Sequence, residues 1–278
     1  MGFMEKLGKV QAANRSLVCV GLDPDLSRFP RSVEEMDEPI FEFNKAIIDA
    51  THDLVCAYKP QIAHYAAESA EAQLESTIAY IKSTCPDVPI ILDAKRGDIG
   101  STAQMYATEA FERYAADAVT VNPYLGFDSL EPFLSYTDRG VIALCRTSNA
   151  GAADLQDLQV DGVPLYEKVA SLAATKWNKH GNLMLVVGAT WPEQLSRIRA
   201  IVGDMPLLVP GVGAQGGDVA KLVQAGQTAA GAGLIINSSR AILYASDGED
   251  FAAAARRETE RLRDEINGHR KGLRSTPG

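Results

Sequence analysis

The chain has 278 residues, 46% of them hydrophobic and 23% charged with both signs dispersed, which suits a sizeable core and excludes a disordered composition. A formal net charge of −9 disfavours nucleic acid or an anionic membrane as the main partner, so any anionic ligand must be caught by a local site. No apolar run approaches the roughly 20 residues needed to cross a bilayer, and Cys19, Cys56, Cys85 and Cys145 show neither CxxC nor CxxH spacing. The opening MGFMEKLGKVQ is charged from Glu5 onward and lacks the apolar centre of a secretory signal, so a reducing cytoplasm is the expected location.

In chain order, short β-branched runs alternate with amphipathic segments. Strands are expected at 16–22, 54–59, 88–95, 118–123, 140–146, 182–189, 206–211 and 233–239. Most are apolar throughout, as parallel strands buried on both faces should be. Helical patterns fall at 34–52, 66–84, 102–115, 165–180, 191–202, 217–226 and 250–267, with Pro192 in the first turn of its helix. The segment 146–164 reads as the longest irregular connection, either a lid over the active face or a solvated insertion. The final stretch, 268–278, reads as a frayed basic tail.

Strands alternating with helices give a closed (β/α)8 barrel or a doubly wound open sheet, and eight evenly spaced strands favour the barrel as a single domain. Both folds bind ligands at the C-terminal ends of their strands. Asp23, Lys59, Asp93 with Lys95, Asn122, Thr147 with Ser148, Gln215 and Arg240 all stand at or just past such ends.

Two stretches carry chemistry. In ILDAKRGDIGST, residues two apart on a strand share a face, which points Asp93 and Lys95 into the barrel mouth, with Arg96 opening the turn and Asp98 in the loop. Lys59, ending the neighbouring strand, can approach Asp93. Alternating Lys and Asp keeps each group ionised. A purely structural ion-pair network is the alternative, but buried pairs rarely outdo apolar packing. The second stretch, PGVGAQGGD, matches G-x-G-x-x-G, yet it lies on the seventh strand and no acidic ribose ligand follows. A phosphate cradle fits better, with backbone N–H groups of the glycines, the Gln215 amide and the Arg240 guanidinium as donors. His52, His64, His180 and His269 show no metal-ligand spacing; His64, close after YKPQIA, can face the site, though a core or surface place is the first expectation. Trp177 and Trp191 read as packing residues.

DAKRGDIGST, VNPYLGFDSL, TSNAG, VVGATWPEQL, PGVGAQGGD and NSSRAI together resemble the orotidine 5′-phosphate decarboxylase family, above all its longer bacterial branch. In that branch the D-x-K-x-x-D motif reads D-A-K-R-G-D. The likeness runs from about Cys19 to Tyr244. Ala150 departs from it, standing where the branch usually has Pro in TSNPG, but no functional group is lost.

The resemblance implies a (β/α)8 homodimer that converts orotidine 5′-monophosphate to UMP and CO2, the last step of de novo UMP synthesis, without metal or organic cofactor. It makes Lys95 the proton donor to C6 within an array Lys59–Asp93–Lys95–Asp98. Asp98 would come from the partner subunit, accompanied by Ile99 at the site and Thr102 at the ribose. Asp23 and Lys59 match ribose-hydroxyl contacts, Ser148 the pyrimidine contact, and Gln215 and Arg240 the phosphate ligands. Asn122, Pro210 and Ser239 are further expected substrate contacts. Two rivals remain from the residues themselves. A magnesium-dependent sugar-phosphate aldolase or decarboxylase would need an extra carboxylate where the second strand ends in Lys59. A barrel that only binds nucleotide phosphates would leave the charged array unexplained.

Overall fold

Eight parallel strands form one sheet in the computed structural model, which describes residues 1–212 and 218–272. They are β1 (Val18–Leu22), β2 (Ala57–Pro60), β3 (Ile91–Arg96), β4 (Ala118–Val121), β5 (Gly140–Arg146), β6 (Leu183–Val187), β7 (Leu207–Pro210) and β8 (Leu234–Ser238). The spatial order is β2-β1-β8-β7-β6-β5-β4-β3. Parallel bridges from Tyr58 to Ile90 and from Gln61 to Asp93 join the two outer strands, so the sheet closes on itself. Every residue of β1, β2, β4, β6 and β8 is buried, the reason these runs read as apolar without alternation. The result is the expected single-domain (β/α)8 barrel.

The helices follow the expected order with physical adjustments. The 34–52 pattern narrows to Pro39–Thr51, with a proline in its first turn. The 66–84 pattern splits into Ile62–Ala66 and Glu71–Thr84, interrupted at Ser69, whose φ is +53°. The 102–115 and 165–180 patterns become Gly100–Thr108 and Leu165–Leu172, each ending in a π-turn. Pro192–Val202, Val219–Gly226 and Phe251–His269 complete the ring.

Two helices of eight residues or more have no sequence-based counterpart. Phe3–Ala13 buries Phe3, Leu7 and Val10, a stripe of one face. Its Lys6 pairs with Asp117 at 3.0 Å and Gln11 donates to the Leu234 carbonyl, which lays the helix across the N-terminal end of the barrel. Phe127–Leu134 is short and carries Pro132 inside it, which masks its period.

The connection after β5 is also more ordered than expected. It holds a short helix, Ala153–Gln156, and a two-stranded hairpin, Gln159–Val160 with Val163–Pro164. The expected fraying from 268 is corrected as far as Gly272. The last helix runs through His269, Arg270 donates to the Gly231 carbonyl at 2.8 Å, and the Lys271 N–H donates to Gln227 at 2.8 Å.

Candidate active site

The barrel has a bulge where the charged stretch begins. Leu92 and Arg96 of β3 pair with Val119 and Val121 of β4, so the intervening β3 residues outnumber their partners. Within the bulge Lys95 adopts φ +47°, a left-handed conformation that disfavours side chains by roughly 1–2 kcal/mol. Asp93 and Lys95 do converge, but by this kink rather than by simple strand alternation. Arg96 remains in the strand and turns away, paired with Glu109 at 2.9 Å and lying over the Tyr106 ring.

Asp93 is the hub. It accepts from Lys59 Nζ at 2.8 Å on one carboxylate oxygen and from Lys95 Nζ at 2.6 Å on the other. Thr120 of β4 donates to Asp93 Oδ1 at 2.8 Å, while its Oγ1 accepts the bulged Ala94 and Lys95 N–H groups at 3.0 Å each. Thr120 therefore ties the strained backbone and the carboxylate together, a role the sequence reading missed. The available signal was one hydroxyl in an otherwise apolar buried run, VTVNP.

Burial alone would favour a neutral Asp93, yet the two lysines outweigh it and hold the carboxyl well below the usual range. Burial likewise opposes charge on Lys59, and Asp23 and Asp93 together reverse that and push the ammonium above its ordinary value. These opposite shifts describe one coupled cluster that stays charged near neutrality. Lys59 is nearly inaccessible, whereas the Lys95 side chain is 45% exposed and free to reach a ligand.

Beside the array lies a cavity of about 280 Å³ lined by Asp23, Lys59, Asp93, Ser148, Pro210, Ser239 and Arg240, all expected contacts. Asp25, Arg28, His64, Gly211, Val212, Asn237 and Tyr244 complete it. Gly21 and Lys59 are register partners, and a Cβ at position 21 would lie 1.9 Å from Ser239 Oγ, so any larger residue there would displace the Ser239 side chain from the cavity wall. Asp23 Oδ1 and Asn237 Oδ1 are buried without a hydrogen-bond donor among the described residues. Lys59 Nζ is 3.8 Å from Asp23 Oδ1, an ionic contact too long for a hydrogen bond. Two acceptors facing one cavity suit a ligand that brings hydroxyl groups.

Arg28 and Arg240 are exposed at this cavity and have no carboxylate partner among the described residues. Arg28 lies over the Tyr244 ring, 4.0 Å from its centroid. Burial pushes the Tyr244 phenol up to about 12, so it remains a donor, to the Asp23 carbonyl at 3.3 Å. His64 is exposed as expected, but it lines the cavity, its Nδ1 2.9 Å from the Pro24 carbonyl.

Other expected residues stand apart. Asn122 does not line the cavity, because its side-chain oxygen accepts the Tyr124 N–H and caps the turn Pro123–Leu125. Asp98, Ile99 and Thr102 also lie outside it, with Asp98 accepting only its neighbour's Ile99 N–H among the described residues. Gln215 lies outside the described residues. At the opposite end of the barrel a hollow of about 420 Å³ has Asp204 as its single charged lining residue among the described residues and offers no comparable chemistry.

Residues 16–256 match the orotidine 5′-phosphate decarboxylase / HUMPS family. The chain belongs to that family. A relative in Cellvibrio japonicus named orotidine 5′-phosphate decarboxylase is 67% identical over 269 residues, covering 96% of this chain and 98% of its own. One of the same name in Azoarcus sp. is 61% identical, covering 97% of this chain and all of its own. Among solved structures, the Leishmania donovani OMP decarboxylase superposes with a TM-score of 0.84 at 40% identity, covering 97% of this chain and 98% of that one. With relatives at 67% and 61% identity carrying the decarboxylase name over nearly the whole chain, orotidine 5′-phosphate decarboxylation is the supported activity, ahead of the magnesium-dependent and non-enzymatic readings.

Proposed function

We propose that the decarboxylase acts through the Lys59–Asp93–Lys95 cluster, with Lys95 as proton donor to C6 of orotidine 5′-monophosphate. Breaking the C6–carboxyl bond releases CO2 and leaves the electron pair on C6, where the ring carbonyls cannot delocalise it as an enolate. The charge must then be met electrostatically. The Lys95 ammonium, held by Asp93, does so and delivers its proton to give UMP. The half-exposed Lys95 beside a buried, doubly paired carboxylate is the observation that carries this reading.

The other roles follow the cavity. The unpartnered acceptors Asp23 and Asn237 support ribose-hydroxyl contacts, and Ser148 is the pyrimidine contact. Arg240 takes the phosphate, joined by Pro210, Ser239 and Gln215. Phosphate binding remote from C6 can drive alignment of the array. The proposed assembly is a homodimer in which Asp98, Ile99 and Thr102 serve the partner's site. Exposed Ile99, Met105, Tyr124 and Leu125 support a second copy covering this rim, since such apolar groups are costly in water. The four free, buried thiols fit a reducing cytoplasm.

The test is turnover of orotidylate followed by its loss of absorbance, with and without EDTA. Wild-type turnover should be EDTA-insensitive, and Lys95→Ala should lower kcat/KM by about 10⁴-fold or more while circular dichroism shows the fold retained. Near wild-type turnover by the variant would remove Lys95 from the chemistry.

A further inference from the structure

The end of β5 carries a buried charge that none of these roles uses. Arg146 is 1% exposed, the bulkiest of the fully buried side chains. Its guanidinium lies over the Trp191 ring, 4.8 Å from the centroid, and 6.0 Å from that of Tyr166. It donates to the Thr147 carbonyl at 3.0 Å, to Gln156 Oε1 at 3.3 Å and to Asp157 Oδ2 at 3.2 Å. Asp157 is its sole carboxylate partner among the described residues and is itself 43% exposed. Its Nε has no partner among the described residues. An apolar side chain would fill this place at less cost, so stability does not explain the residue.

Geometry does. Gln156 Oε1 also accepts the Thr147 N–H at 2.8 Å, and its Nε2 donates to Thr147 Oγ1 at 2.9 Å. Arg146 and Gln156 thereby grip the residue just before Ser148 at both backbone and side chain. From the other side the end of β6 presses close: a Cβ at Gly188 would lie 2.8 Å from Ser148 Cβ and 2.9 Å from its backbone nitrogen. The one-residue register shift between Leu144 and Arg146 swings the strand end into this arrangement.

We propose that Arg146 and Gln156 form a latch that fixes Ser148 against the ring end of the cavity. They are positioning residues for pyrimidine recognition, acting through Ser148 rather than touching substrate. This rests on the reading of Ser148 as the pyrimidine contact.

The test is a double-variant cycle on Gln156→Ala, at the end of a short helix outside the barrel, with Ser148→Ala, and on Arg146→Lys as a second variant that keeps charge but loses the fork. Ser148→Ala and Gln156→Ala should each lower kcat/KM by about 10- to 100-fold. The double variant should fall within about threefold of Ser148→Ala alone, because the latch has nothing left to position. UMP should bind more weakly to Gln156→Ala, whereas ribose 5-phosphate, which lacks the ring, should inhibit as in wild type. Multiplying losses, equal weakening toward ribose 5-phosphate, or a silent Gln156→Ala would overturn the latch. A fully active Ser148→Ala would instead overturn the reading of Ser148 itself, and the latch with it.

Discussion

Lys95 and Asp98 are neighbours in one short stretch, yet the structure treats them as parts of different machines. Lys95 is tied to Asp93 at 2.6 Å, its backbone held in a bulge by Thr120. Among the described residues Asp98 accepts only from its own turn, beside an exposed Ile99. The first half of the stretch is satisfied within its own chain before any ligand arrives. The second half makes a local turn and opens a helix, and its Ile99 and Thr102 side chains are exposed. Preorganisation in one half of the motif and exposure in the other fit the proposed dimer, in which the chain supplies Lys95 to its own site and Asp98 to its partner's.

That contrast can be broken in stages. Asp98→Ala should lower kcat/KM by about 10²- to 10³-fold although its carboxylate lies outside its own chain's cavity. Thr102→Ala should cost about tenfold, as expected for one ribose hydroxyl contact. Steady-state kinetics with orotidylate measures both, and wild-type values would confine the site to one chain.

The smallest effect concerns acid stability. Asp93 is held below its ordinary range, so the unfolded chain binds the extra proton as pH falls. Its contribution is present above about pH 4 and is lost as pH drops through the folded value. Lys59, raised, keeps its contribution below about pH 10.4 and loses it only above that. Urea midpoints at pH 5 and pH 3 should therefore fall more steeply for wild type than for Asp93→Asn. Parallel losses would show that Asp93 is not held in this way.

Much of this arrangement was legible in the sequence, for reasons the residues make plain. Buried parallel strands need apolar runs, so the eight strands stood out, and any polar residue at their ends became conspicuous. Asp23, Lys59, Asp93, Ser148 and Arg240 were found by that logic and line the cavity or its array. What escaped depends on geometry that no period encodes. The bulge at Lys95 arises from backbone strain that Thr120 compensates across the sheet. Asn122, also at a strand end, stands outside the cavity, where its side-chain oxygen caps a local turn. Asn237 and Gly21 sat inside apolar strands, where their meaning comes from what faces them. Arg146 read as a strand end rather than a buried guanidinium, because its partners lie ten and eleven residues on in a segment taken as irregular.

The claim that one stretch serves two sites is tested most directly by mixing subunits. Lys95→Ala and Asp98→Ala proteins, each nearly inactive alone, are combined, dissociated and allowed to re-pair. A mixed dimer then holds one site with both residues intact and one with neither. The account predicts recovery to roughly a quarter of wild-type activity, since random pairing leaves half the dimers mixed with one working site each. A mixture that stays as inactive as its components after re-pairing would contradict it.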